Sequence, residues 1–558
     1  MVRSMRKTGW VRAAAAVGVV AALISTSACS PSDDAASGAT DLESQSAGAM
    51  KDYSADEQFK ATEKIDLGLL WTDWAETPVT KTWEVFKEIE KRTNVSLDLT
   101  HIPFSDAKEK RSLLISAGDA PDVIPLVYTG EEAPFVSSGA VLPMSDYVKY
   151  MPNFQKYVKE WDLGDMLERL KQADGKYYML PGLHEVSVPT FTLIIRQDVF
   201  DEVGAPQPDT WEHLKEGLEL IKAKYPDSHP LADGFEGQSM LNYAAHAFGT
   251  QAGWGFADGT IWNKDKKKLE YAGANQGYKD MVTYFNSLYE EGLLDPESFT
   301  KSDDGGGVAT ISEKIAKNQV FAASGASGTV NEFATALDAT ENKGKYKLVQ
   351  IAPPGGEAGM VVEPRNFWNG FMLSSKVKDS PHFLATLQFL DWLYYSPAAT
   401  EMMRWGVEGQ TYSKDGDKIT LNPEFSLNAF NINPGAKTDI KTDLGYSNDV
   451  LTGSTESRSL QESYNSEQYV EYIDTVLSSR EPRDPNPPAP LTESELEQAS
   501  LKATPLSDAV KTNTLKFILG QRDLSEWDDY VNELKAGGMD DYVKLIDDAR
   551  KRFAKENG

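Results

Sequence analysis

The stretch from Lys64 to Val127 sets the strongest limit on the fold, because two kinds of periodicity alternate within it. "KIDLGLLW" (residues 64–71) is an apolar strand-like run. "TPVTKTWEVFKEIEKRTNV" then places Val79, Trp83, Phe86 and Ile89 on one helical face, with Thr77 at the N-cap and Pro78 in the first helical position. "VSLDLTHI" is a second strand, a helix follows near Ala107 to Ser116, and "PDVIPLV" (residues 121–127) is a third strand. Consecutive parallel strands need a crossover between them, so this order predicts an α/β sheet. Pro125 cannot donate to a ladder, which predicts an edge position or a bulge.

The pattern restarts after "GKYYMLPG" with "TFTLIIRQDVF" and "PDTWEHLKEGLELIKAKYP", which reads as a second α/β lobe. A third start follows at "NQVFAASGASGT", and "FWNGFMLSS" precedes the amphipathic helix "SPHFLATLQFLDWLYYS". The Pro-rich run "EPRDPNPPAP" (residues 481–490) separates these from a set of C-terminal helices. A chain of 558 residues exceeds what one core supports, so more than one domain is expected.

Upstream, Cys29 is the only cysteine, which excludes an internal disulfide and a thiolate metal site. Arg3, Arg6, Lys7 and Arg12 precede a short apolar run, Ala13 to Ile24, and then Ser27, Ala28 and Cys29. This is a basic region, an apolar region and a lipobox-like end, with Thr26 where an aliphatic residue is usual. The expectation is a signal peptide over 1–28, lipidation of Cys29, and a flexible Ser/Ala/Asp/Gly tether over 29–61. A net charge of −29 argues against nucleic acid as a partner.

Catalytic motifs are scarce. His184 and Glu185 begin "HEVSV" without the second histidine of a zinc-protease motif, and "ASGASGT" lacks nucleophile-elbow spacing. "NKDKKKLE" (residues 263–270) has oxygen ligands at its first, third and eighth positions, but lysines stand where a further oxygen and the turn glycine of a calcium loop belong, which predicts a plain β-turn. No cofactor and no metal are expected. With 85 acidic residues, carboxylate pairs for glycoside hydrolysis remain an open alternative.

Aromatic and polar residues recur just after strands and in loops: Asp73, Trp74, Tyr128, Trp254, Arg365, Asn366, Trp368, Asn369 and Trp405. Ligands of open α/β sheets bind outside the carboxyl ends of the strands. A sugar ring, with an apolar face and a hydroxyl rim, suits such a lining.

The stretches "DAPDVIPL", "DGKYYMLPG", "LIIRQDVFDEVGAPQPDTWEHL", "LYEEGLLDPESF", "FLDWLYYSPAATEMMRWGVEGQTY" and "KFILGQRDLSEWDDYVNEL", in this order, resemble family 1 of the extracellular solute-binding proteins of ABC importers, in particular its large lipoprotein branch associated with oligosaccharides. The resemblance implies a two-lobed, type II periplasmic-binding-protein-like α/β fold, each lobe a mainly parallel sheet flanked by helices, with extra C-terminal helices. It places residues 62–187 and 319–366 in the first lobe, 188–318 and 367–500 in the second, and 501–558 as helices packing on the lobes. The first crossing would lie near Pro181 to Pro189 and the return near Val320. Some relatives carry a calcium site in the second lobe. The implied activity is capture without chemistry. A monomer, anchored at the outer membrane face through its N-terminal lipid, would close on an oligosaccharide and present it to permease subunits. Asp73, Trp74 and Tyr128 would act from the first lobe, and Glu185, Trp254, Arg365, Asn366, Trp368, Asn369 and Trp405 near the hinge and second lobe. A tethered glycoside hydrolase and a binding protein for a non-sugar solute are the alternatives.

Overall fold

Along the chain run β1 (Ile65–Asp73), β2 (Val95–Pro103), β3 (Val123–Val127), β4 (Leu180–Leu183), β5 (Thr192–Arg196), β6 (Leu231–Ala232), β7 (Thr260–Asn263), β8 (Lys268–Tyr271), β9 (Ala322–Gly325), β10 (Leu348–Gln350), β11 (Val361–Val362), β12 (Phe367–Leu373) and, past several shorter pairings, β13 (Glu481–Pro482). This computed structural model describes residues 42–75, 77–299, 306–363, 366–416, 418–451 and 455–557. The signal peptide, Cys29, the tether as far as residue 41, and Arg365 lie outside the described residues.

The first lobe is built on a sheet of order β2-β1-β3-β12-β4 and the second on β10-β5-β9-β6. Both sheets are mixed, where mainly parallel ones were expected. β2, β1 and β3 are mutually parallel, but β12 is antiparallel to β3 and β4. In the second lobe β5 is antiparallel to β9 and β10, and only β6 and β9 run together. The cause is the connectivity. Strands fed by a crossover helix end at the hinge side of their lobe, whereas β5 and β12 enter from the other lobe and start there.

The helix after β1 is Glu84–Thr93, with Trp83 at the N-cap, rather than one begun at Thr77. The Val79 N–H donates to Asp73 Oδ1 (3.0 Å), which holds the preceding residues as a loop. Pro125 lies in a central strand and is accommodated by a bulge. The β12 register shifts between Gly370 and Phe371, opposite Val127 and Pro125, and Leu126 takes a left-handed φ of 57°. The buried Arg111 donates to the Leu126 carbonyl (2.7 Å) and so satisfies the group the bulge leaves over. Gly370 is required here for space, since a Cβ would lie 1.9 Å from the Leu180 carbonyl oxygen.

Three boundaries differ from the expectation. Residues 42–61 are part of the first lobe and not tether: Leu42, Phe59 and Ala61 are buried, Met50 N–H donates to Gln388 Oε1 (2.9 Å), and Tyr53 hydroxyl donates to Asp391 Oδ2 (2.9 Å). The chain does not return near Val320, because β6, the helix Gly306–Ala316 and β9 form a parallel crossover unit that keeps β9 between β5 and β6. The return comes with β12, after which the helices Phe383–Tyr395 and Pro397–Trp405 enter the first lobe's core. The C-terminal helices Glu493–Ile518, Trp527–Ala536 and Met539–Asn557 join the second core, where Tyr530 hydroxyl donates to the Gly273 carbonyl (2.9 Å).

The chain thus crosses between lobes at residues 184–191, again around 351–366, and a third time through the helix Glu467–Ser479 and β13. Val186, Val188, Ala352, Val362, Tyr472 and Val476 bury one another where the crossings meet, and β11 pairs with β13.

Candidate functional site

The registers bring five strand ends to one side of the first lobe. Phe104 follows β2, Asp73 and Trp74 close β1, Tyr128 follows β3, Asn366 to Trp368 open β12, and His184 and Glu185 follow β4. Neighbouring strands are ~4.8 Å apart, so sheet order is also the order of these residues across the lobe. On the facing end of the second lobe, Thr190 and Phe191 lead into β5, Phe235 lies just beyond β6, and Ser327 follows β9. A cavity of about 230 Å³ joins the two ends, lined by Trp368, Arg404 and Phe430 from one lobe, Ser327 from the other, and His184 and Thr190 from the crossing between them.

Large aromatic side chains are normally buried. Among the described residues the three most exposed are Phe104 (54%), Tyr128 (48%) and Trp254 (44%); the first two follow strands, and Trp254, in a short helical turn (Gly253–Phe256), packs against Phe191 and Phe235. All but Tyr128 pack against a neighbouring ring. Trp74 and Phe104 stack at 5.0 Å and 24°, Trp368 lies over His184 at 5.7 Å and 8°, and Trp254 is held edge-on by Phe191 (5.2 Å) and Phe235 (5.3 Å).

Polar groups behind the cavity are fixed. Arg404 Nη2 donates to Glu456 Oε1 (2.5 Å), Arg404 Nη1 to Ser447 Oγ (2.8 Å), and Tyr464 hydroxyl to the same Glu456 oxygen (2.8 Å). Burial opposes charge on both partners, but their contact prevails: the Glu456 carboxyl is held below its ordinary range and the Arg404 guanidinium above its own. Glu456 also docks on the crossing strand, its N–H donating to the Leu183 carbonyl (2.9 Å) and its carbonyl accepting from Glu185 N–H (3.1 Å).

The expected residues divide accordingly. Trp74, Tyr128 and Trp368 come together along the first lobe, and Trp254 packs on Phe191 and Phe235 of the second. Asp73 is a positioning residue, since its Oδ1 accepts from Val79 N–H and its Oδ2 contacts His101 Nδ1 (3.0 Å). Glu185 accepts from Arg458 N–H (2.6 Å), and the Asn366 carbonyl accepts from His184 N–H (2.8 Å). Both line a second cavity, of about 490 Å³, reached by Glu185 and Ser187, whereas His184, Val188 and Thr190 line the first and Val186 lines both, so the extended crossing forms the wall between them. Two expectations are overturned. Trp405 is 1% exposed, its Nε1 donating to Ser463 Oγ (3.0 Å), and Asn369 is buried within β12. Both sit on regular elements that pack into the first core, and Trp405 reaches a cavity of about 370 Å³ whose lining does not include Trp368. Sequence reasoning missed Phe104, Phe191, Phe235, His184, Arg404 and Glu456. The strand-end rule would have found Phe104, which follows β2 as Trp74 follows β1.

A larger groove of about 1200 Å³ runs between β10 and the helix Glu467–Ser479; neither it nor the 230 Å³ cavity is lined by Phe104, Tyr128 or Trp254, but only the smaller cavity reaches Trp368. "NKDKKKLE" is the hairpin β7-β8 with a turn at its tip. Lys266 Nζ lies 2.8 Å from Glu270 Oε1, Lys268 Nζ 3.7 Å from the same oxygen, and Asn263 Oδ1 accepts from Lys266 N–H (2.9 Å). The Glu270 carboxylate and the Asn263 amide oxygen are held by ammonium and backbone groups and lysines flank Asp265, so this turn does not fit the ion.

Two α/β lobes, a hinge of several crossings and an aromatic-lined space between strand ends define a solute-binding protein. The family model described as bacterial extracellular solute-binding protein matches residues 84–409, and the chain belongs to that family. The fructooligosaccharide ABC transporter substrate-binding protein FusA of Streptococcus pneumoniae is 24% identical over 493 residues, 83% of this chain and 85% of that protein. The polygalacturonan/rhamnogalacturonan-binding protein YtcQ of Bacillus subtilis is 22% identical over 350 residues, 61% of this chain and 65% of that one. Among solved structures, alginate-binding protein AlgQ2 without calcium ion matches with a TM-score of 0.67 at 18% identity, covering 89% of this chain and 100% of that one. FusA in complex with kestose matches with 0.62 at 21%, covering 88% and 100%.

Proposed function

We propose that the protein captures an uncharged oligosaccharide between its lobes and hands it to the permease of an ABC importer. The observation that carries this reading is the set of solvent-facing aromatic side chains, Phe104, Trp74, Tyr128 and Trp368 at the strand ends of the first lobe and Trp254 on the second. Trp74, Tyr128, Trp254 and Trp368 would stack on ring faces, while Glu185 and Asn366, which face the second cavity, would position the crossing strand rather than touch the sugar. Relatives named for fructooligosaccharide and polygalacturonan binding support a saccharide. Arg404, the arginine lining the cavity, is already neutralised by Glu456, which favours an uncharged ligand over a uronate.

The mechanism is a population shift. A ligand touching both lobes favours the closed form by its differential affinity, and the permease reads that form. Lipidation of Cys29 would hold a monomer at the outer membrane face. Those relatives are substrate-binding proteins, and capture leaves the sugar intact.

The test is titration of the purified protein with maltose-, xylose- and fructose-based oligosaccharides and with oligogalacturonate, following tryptophan fluorescence and chromatographing the sugars afterwards. Saturable binding of an intact neutral sugar supports the reading. Cleavage would establish a hydrolase, and no response to any of these sugars would point to a different solute.

A further inference from the structure

The far end of the aromatic row has a geometry that a small ligand near the hinge would not use. Phe104 lies at the end of β2, the outermost strand of the sheet, while Trp368 and His184 lie at β12 and β4 on the hinge side. Four strand spacings, roughly 19 Å at the usual ~4.8 Å per strand, separate Phe104 from His184, and three, roughly 14 Å, separate it from Trp368. Between them stand Trp74 and Tyr128, one after each successive strand.

Phe104 is the most exposed aromatic among the described residues, yet it is not loose. It stacks on Trp74 at 24°, Trp74 O accepts from Thr77 N–H (3.1 Å), and the Asp73 carboxylate ties the same loop to Val79 and His101. An exposed phenyl ring leaves apolar surface in water at a cost, and the fold holds this one with its neighbour in a nearly parallel pair at the end of the row. The row continues the candidate site, strand by strand.

We propose that Phe104, supported by Trp74, is a distal subsite for one ring of a linear saccharide whose other end lies at Trp368. The four successive strand ends from β2 to β12 offer about four positions, so the preferred ligand is a tetrasaccharide or longer rather than a mono- or disaccharide. This rests on the oligosaccharide reading above and adds the length of the chain and the residue that measures it.

The experiment is calorimetric titration of the whole protein with whichever of the maltose-, xylose- or fructose-based series binds, from disaccharide to hexasaccharide, in wild type, Phe104→Ala and Phe104→Trp. Affinity is expected to rise up to about the tetrasaccharide and then level. Phe104→Ala should weaken the tetrasaccharide and longer chains about tenfold, leave the disaccharide unchanged, and be rescued by Phe104→Trp. Thermal midpoints of both variants, expected at the wild-type value because Phe104 is exposed, separate loss of a subsite from loss of folding. Equal affinity for all lengths, or equal weakening of short and long sugars by Phe104→Ala, overturns the distal subsite while leaving saccharide capture standing. Binding of no series by the folded protein overturns both.

Discussion

Arg404 Nη2 donates to Glu456 Oε1 across 2.5 Å, and both side chains are less than a tenth exposed. The pair fastens a helix of the first lobe to a segment that is hydrogen-bonded to the crossing strand. Removing one partner of a buried pair strands the other, at a cost of roughly 3–5 kcal/mol. Glu456→Gln should therefore lower the urea midpoint strongly at neutral pH. Because the folded pKa of Glu456 is depressed, its contribution is full above the unfolded carboxylate's ~4.3 and is lost as pH falls through the lower folded value. The gap between wild type and Glu456→Gln should be flat from neutral pH to about 4.3 and shrink below it. A gap unchanged well below that pH would show that the carboxylate's charge is not what holds the segment.

Trp368 and Trp405 test whether exposure separates ligand platforms from core. Trp368→Ala should leave the thermal midpoint near wild type and weaken saccharide binding more than about tenfold, as loss of an aromatic face in the cleft implies. Trp405→Ala should cost roughly 3–5 kcal/mol of stability, because a fully buried indole is replaced by a cavity. Affinity per folded molecule should be nearly unchanged. Calorimetry paired with unfolding curves checks both, and the opposite pattern would reassign the two residues.

These two tryptophans also show how far the sequence could be read. Both sit near loop boundaries in glycine-containing stretches, and residue type cannot say that one faces the cleft while the other lies beneath Ser463. Strand order was legible where a helix separated two apolar runs, as from β1 to β3. It failed at β9, whose small residues would fit either sheet. Only pairing with β5 and β6, between residues far apart in sequence, decides its lobe. Phe104 and Phe235 escaped notice because phenylalanine is ordinarily a core residue. The Arg404 to Glu456 pair joins positions 52 residues apart, and no local pattern announces it.

The segment 42–61 looks like slack by composition but anchors on the helix Phe383–Tyr395. Phe59 is fully buried against Phe389 (6.1 Å between ring centroids), and Tyr53 and Asn153 share the Asp391 carboxylate. Phe59→Ala should destabilise the protein by roughly 3–5 kcal/mol, the range for deleting a buried phenyl ring. A chain begun at residue 62 should unfold at a lower temperature than one begun at residue 42, and a chain begun at 42 should match one begun at 30. Equal midpoints for all three would mean that the segment contributes nothing to the folded state.

Calcium should have no specific effect on this protein through the β7-β8 turn. The ion takes six to eight oxygens, and charge is the main source of its affinity. Here the Lys266 ammonium lies on Glu270, Lys268 stands nearby, and Lys267 takes a left-handed φ of 49° at the tip, a backbone angle that glycine adopts more readily. Thermal midpoint and saccharide affinity should be the same with added calcium, with magnesium at equal ionic strength, and with a chelator. Lys267→Gly, which relieves the left-handed conformation without adding an oxygen, should raise stability by about 1 kcal/mol and still give no calcium response. A rise specific to calcium that Glu270→Gln abolishes would place the ion in this turn after all, and would show that the two lysines swing clear of the carboxylate when the ion is present.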